Sequence, residues 1–244
     1  SHFVMVTGHV DSWGLGALDN ASGNACAVEL ARILAPLASD MRRSVRFVLW
    51  SGHSHGRYAG STAWCDAHFE ELERHCLLNV NSDCLGGHGA TVMTESPAMA
   101  STRGLARTAL REAAGVTDWR GCRFSRSCDQ SFWGAGVPSI FSQVSEQPPF
   151  EGAAADAFGK MFGSGRTGGF GAWWHTRTDT PDKLDPENLA RDVRVFASVL
   201  AHALFDERLP VDAAAEVLEL RDELKAWQEK AGDSLDLSEV LARL

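Results

Sequence analysis

Four short apolar runs, each ending in a polar loop, constrain this chain more than any other feature. The first is Phe3-Val4-Met5-Val6, which gives way to Thr7-Gly8-His9. Residues 45–50 and 76–80 repeat the pattern, and Gly136-Val137-Pro138-Ser139-Ile140-Phe141 closes it. Runs this short and this apolar suit strands buried on both faces. Between them lie segments with apolar residues at helical spacing. Ala27, Leu30, Ala31 and Leu34 mark a helix over residues 24–38, and further helices are expected over 63–75, 101–114 and 186–205. Strands alternating with helices predict an α/β fold, a three-layer α/β/α sandwich around a mostly parallel central sheet. Ligands bind such sheets at the carboxyl ends of the strands, so chemistry is expected in the loops that follow them.

A chain of 244 residues suits one domain with a small appendage. The domain is expected over residues 1–210 and a C-terminal helical extension over 211–244. Val217, Leu220, Leu224 and Trp227 form an apolar stripe on that extension, which either packs on the domain or meets another subunit. The chain opens almost directly in an apolar run, so an upstream part is expected to be missing or supplied by a partner chain. The formal charge of −9 argues against a nucleic-acid partner, which requires clustered Lys and Arg. No apolar run approaches the roughly 18–20 residues of a membrane span, so no membrane partner is expected. None of the six cysteines forms a CxxC pair. That pattern fits a reducing compartment, and a cytoplasmic location is expected.

Candidate ligands sit at the predicted strand ends. His9, Asp11 and Asp19 follow the first strand, and Asp83 follows the third. A later loop, Trp173-Trp174-His175-Thr176-Arg177-Thr178-Asp179, adds His175 and Asp179. Imidazoles and carboxylates converging on one sheet edge suit one or two divalent metals of the zinc type, and a carboxylate such as Asp19 is able to bridge two.

In order and spacing, His9-Val10-Asp11, Asp19-Asn20-Ala21-Ser22-Gly23, Asn81-Ser82-Asp83 and His175-Thr176-Arg177-Thr178-Asp179-Thr180 resemble the M28 metallopeptidase pattern. Cys128-Asp129-Gln130-Ser131-Phe132, followed by Gly136-Val137-Pro138, is similar to the segment before the last histidine of that family. The resemblance implies the zinc-exopeptidase fold and two zinc ions, with iron, manganese or cobalt also compatible with the donors. It places Asp19 as the bridge, His9 and Asp83 on one ion and His175 on the other. Asp11 would orient His9 from behind, as carboxylates commonly do around zinc-bound imidazoles.

One motif departs from the family. The usual pair of glutamates after the second strand, a general base and a metal ligand, is replaced by Ser51-Gly52-His53-Ser54-His55-Gly56-Arg57-Tyr58. Aligning from the strand puts His53 at the base position, whereas aligning back from Gly60-Ser61 puts His55 at the ligand position. The two histidines are therefore expected to divide the roles, with His53 catalytic and His55 on the metal. If the loop cannot ligate, one zinc ion remains. Arg57 is expected either to hold a substrate carboxylate or to form a structural ion pair. Asp129 is a candidate for substrate binding, and with Glu146 it is a remaining acid that could act as base.

Three functions follow. The first is hydrolysis of a peptide or small amide near a chain terminus by metal-activated water. The second is related single-zinc chemistry, as in glutaminyl cyclases or a small-molecule amidase. The third is a binding subunit that keeps the fold without catalysis.

Overall fold

The computed structural model describes residues 2–122, 131–153, 156, 160 and 167–244. Among these, strands β1 (Phe3–His9), β2 (Ser44–Trp50), β3 (Cys76–Asn81) and β4 (Ser139–Ile140) form a parallel sheet in the order β2-β1-β3-β4. Every residue of β1 is buried. Because side chains alternate along a strand, β1 serves two cores. Val4 and Val6 join one apolar cluster, and Phe3 and Met5 join another on the opposite face.

Helices cover both faces, giving the three layers expected. The Val4 face carries α1 (Gly23–Leu34), α4 (Arg103–Ala114) and α5 (Pro186–Phe205). The Phe3 face carries α2 (Ala59–Ala67) and α3 (Phe69–His75), which contribute Cys65 and Leu72. Local chemistry sets the start of α5. Asp185 accepts the amides of Glu187 and Asn188, and Pro186 occupies a first-turn position where its missing N–H costs nothing.

The helix expected over 24–38 keeps α geometry only to Leu34 and continues as 3-10 turns over Ala35–Asp40, and two further elements differ from their expected bounds. The helix expected over 63–75 is two helices, because His68 leaves helical geometry (φ −121°) and its amide is shared between the Trp64 and Cys65 carbonyls. The last strand shrinks to Ser139–Ile140. Gly136 and Phe141 both adopt positive φ (70° and 60°), and Pro138 has no N–H to give a ladder.

The chain runs from β1 to β2 on one side, then crosses to the other side of β1 for β3. That reversal opens a crevice at the carboxyl ends of β1 and β3. After α5, α6 (Ala213–Ala231) docks through polar contacts. Glu216 accepts from the Ser101 amide and hydroxyl at 3.0 and 2.9 Å, and Arg103 pairs with Glu219 at 2.6 Å. No residue of α6 is buried, and Val217, Leu220 and Trp227 are exposed. No described helix is long and apolar enough to cross a membrane.

Candidate metal centre

The crevice gathers side chains from four distant parts of the chain. His9 closes β1 and is buried. Its Nδ1 lies 2.8 Å from the Asp11 carbonyl, which can only accept, so Nδ1 carries the proton and Nε2 is left as a donor atom for a metal. That Nε2 stands 2.9 Å from Asp19 Oδ1 and 3.5 Å from Asp83 Oδ1. The other Asp19 oxygen, Oδ2, is 3.0 Å from His175 Nε2. One buried carboxylate thus faces two imidazoles, one on each oxygen.

Main-chain hydrogen bonds fix these groups. Asp179 accepts the amides of Leu18 and Asp19 at 2.8 and 3.0 Å. Asn20 accepts the Gly23 amide and donates to the Ser82 carbonyl, joining the Asp19 loop to the end of β3. A Cβ on Gly23 would lie 2.2 Å from Asn20 Oδ1 and 2.3 Å from the Ser82 oxygen, so only glycine allows this approach. The amide of Asp83 donates to Ser142 at 2.8 Å. His175 adopts a positive φ of 61° and stacks on Trp174 at 3.5 Å, with Trp13 at 5.4 Å.

The altered loop lies beside this set. Asp11 accepts three consecutive amides, from His53 (3.1 Å), Ser54 (2.7 Å) and His55 (3.3 Å). This turns the His53 ring inward, parallel to His9 with centroids 3.9 Å apart. His53, His9 and Asp83 offer donor atoms within 4.8 Å of one another. His55 is exposed, its ring 6.0 Å from Trp13, and it joins no donor group among the described residues. The role expected of Asp11 also changes atom. Its carbonyl orients His9, while its carboxylate, 3.9 Å away, holds the loop. Arg57 is exposed, with its guanidinium 5.0 Å above the Tyr58 ring. Asp179, read as a candidate ligand, is committed to amides. Asp129 lies outside the described residues. Glu146 is half-buried and bonded to Thr167 and Gln143.

Electrostatics and unmet valences show what the site fits. Burial alone would pull the His9 imidazole down, but Asp83 and Asp19 hold it up at about 11, and a metal on Nε2 would take the place of the proton these carboxylates favour. Burial would likewise raise Asp19, but His175 and His9 drive it far below the usual carboxylate range. Three amides outweigh burial and lower Asp11. Among the described residues, His9 Nε2 and Asp83 Oδ1 are buried without a hydrogen-bond partner of good geometry. Buried carboxylates clustered this closely require a cation. A divalent ion of the zinc type fits, since nitrogen and carboxylate donors are its preferred set.

Two features escaped the sequence reading. Cys84 follows Asp83 directly, and its Sγ lies within 4.8 Å of carboxylate oxygens of Asp19 and Asp83. Burial and those two carboxylates push its thiol well up. Trp13 flanks His175 and His55. Adjacency to a candidate ligand is the one sequence signal that pointed to Cys84.

The fold recurs in solved structures. An aminopeptidase from Aneurinibacillus sp. strain AM-1 matches with a TM-score of 0.65 at 22% identity, over 87% of this chain and 46% of that one. A glutaminyl cyclase from Porphyromonas gingivalis matches with a TM-score of 0.61 at 17% identity, over 82% of this chain and 72% of that one. Among sequences, human transferrin receptor protein 2 is 33% identical over 85 residues, 34% of this chain and 10% of that protein. Aminopeptidase YwaD of Bacillus subtilis is 24% identical over 211 residues, 85% of this chain and 42% of that protein. The chain therefore spans less than half the length of these two relatives. The model of peptidase family M28 matches residues 1–200. That span contains His9, Asp19, Asp83 and His175, the residues that meet at the sheet edge, and the chain belongs to peptidase family M28.

Proposed function

We propose that this chain carries the catalytic centre of a zinc-dependent hydrolase that cleaves a peptide or small amide next to a chain terminus, as an aminopeptidase does. The observation that carries this reading is the buried Asp19 carboxylate, with His9 Nε2 at 2.9 Å and His175 Nε2 at 3.0 Å on its two oxygens.

His9, Asp19 and Asp83 would hold one zinc, and Asp19 with His175 a second. Zinc supplies Lewis acidity, polarising the scissile carbonyl and acidifying water. The protein residues do the rest. The Asp11 carbonyl keeps the His9 proton on Nδ1, so Nε2 stays available. Asp179 holds the Asp19 main chain still. His53, aligned at the base position and stacked on His9, accepts the proton of the attacking water. An imidazole suits this role near neutral pH, where its ordinary pKa lies. Trp13 and Trp174 flank His175 and offer an aromatic surface to the substrate.

The test is release of the anilide from a panel of aminoacyl-p-nitroanilides by the zinc-loaded chain, with D19N as the control. Turnover lost in D19N supports the reading. Zinc bound without hydrolysis of any aminoacyl or acylated substrate would sink it.

A further inference from the structure

Cys84 differs from the other buried thiols. Cys26, Cys65 and Cys76 belong to the two apolar clusters, where a cysteine acts as a small hydrophobe. Cys84 is buried but belongs to neither cluster. Its Sγ, a carboxylate oxygen of Asp19 and one of Asp83 all lie within 4.8 Å of one another. Main-chain bonds hold the Asp83-Cys84 dipeptide, with the Asp83 amide on Ser142 at 2.8 Å and the Cys84 amide on Asn20 Oδ1 at 3.3 Å. Both side chains are therefore left to face the site. A second observation points to a ligand there: among the described residues Asp83 Oδ1 is buried without a hydrogen-bond partner of good geometry, and Asp83 is only 6% exposed.

We propose that Cys84 is a metal ligand, supplying a thiolate to the ion held by Asp19 and Asp83. His9 Nε2, 2.9 Å from Asp19 and 3.5 Å from Asp83, faces the same ion, so nitrogen, oxygen and sulfur donors meet there. On binding, the S–H bond breaks, the proton leaves to solvent and a metal–sulfur bond forms. The donor set then mixes sulfur, oxygen and nitrogen, which selects zinc or cobalt over magnesium and calcium. It also leaves His53 unligated, as its role as base requires. The assignment rests on the metallohydrolase reading, because Cys84 has this role only where Asp19 and Asp83 hold a metal.

Cobalt(II) added to the metal-free chain separates the two ideas. Visible d–d absorption reports a bound ion, and near-ultraviolet thiolate-to-cobalt charge transfer reports a sulfur ligand. The expected result is both bands in the wild type, with the charge-transfer band lost and the visible bands kept in C84S. Visible bands without charge transfer would overturn the Cys84 assignment and leave the metallohydrolase reading standing. Charge transfer that survives in C84S would assign the sulfur to another cysteine and overturn it too. No cobalt bound at all would overturn both. Should C84S fail to fold, X-ray absorption of the zinc-loaded wild type decides. A sulfur shell at about 2.3 Å supports the ligand, and nitrogen and oxygen alone at about 2.0–2.2 Å removes it.

Discussion

Asp179 holds the main-chain amide of Asp19 at 3.0 Å, from 160 residues along the chain. The same carboxylate takes the Leu18 amide, so the turn that aims the Asp19 side chain at two imidazoles is fixed from the far end of the domain. Truncation by Asp179→Ala leaves two buried amides unmet, at about 1–3 kcal/mol each. We expect a drop in Tm and zinc binding weakened roughly 10–100-fold, the range for groups that orient ligands. Calorimetric melting and zinc titration check this. Unchanged affinity would show that Asp19 needs no such support.

Asp11 governs a different step. Its carboxylate accepts the amides of three residues that include His53. Asp11→Ala frees the loop and misplaces His53, the proposed base, while His9 keeps its carbonyl partner. The expected signature is kcat reduced by about 10²-fold or more, the scale of a general base, with zinc content unchanged. Equal losses of zinc and kcat would contradict this division of roles.

Removal of the metal should destabilise the fold, because carboxylates and imidazoles gathered around an ion lose the charge that binds them together. An ion present at a thousand times its Kd contributes about 4 kcal/mol. For a domain of this size that corresponds to a Tm shift of about 8–16 °C. A chelator added during thermal melting measures it directly. An unchanged Tm would place the metal elsewhere or nowhere.

His202 makes a separate, pH-dependent link between α5 and α4. Its Nε2 faces Glu112 at 3.0 Å and its Nδ1 faces Asp206 at 2.8 Å, and these two carboxylates raise its pKa. The folded pKa is above the unfolded value near 6.5, so the stabilisation is complete below that pH and lost as pH rises through the folded value. Because the site is largely solvated, the effect stays under about 1 kcal/mol. Urea melts at pH 6 and pH 9 should differ more for the wild type than for His202→Gln.

Much of this architecture was written locally. Apolar runs buried on both faces define β1 and β3, and the Asp185-Pro186 pair starts α5 where expected. Strand ends also put His9 and Asp83 within reach, because neighbouring parallel strands bring their following loops together. The short β4 and the break at His68 were not legible. Both depend on single backbone angles that periodicity does not report.

The sequence by itself determined the alternation of elements and the residue types gathered at one sheet edge, since burial periodicity and loop position are local properties. Only the tertiary structure decided which way each side chain faces. His53 turns in and His55 out because a carboxylate more than forty residues earlier takes their amides. Asp179 faces main chain instead of the crevice, and Cys84 faces two carboxylates instead of an apolar core. Loop conformation is set by hydrogen bonds between distant segments, and no local pattern encodes those.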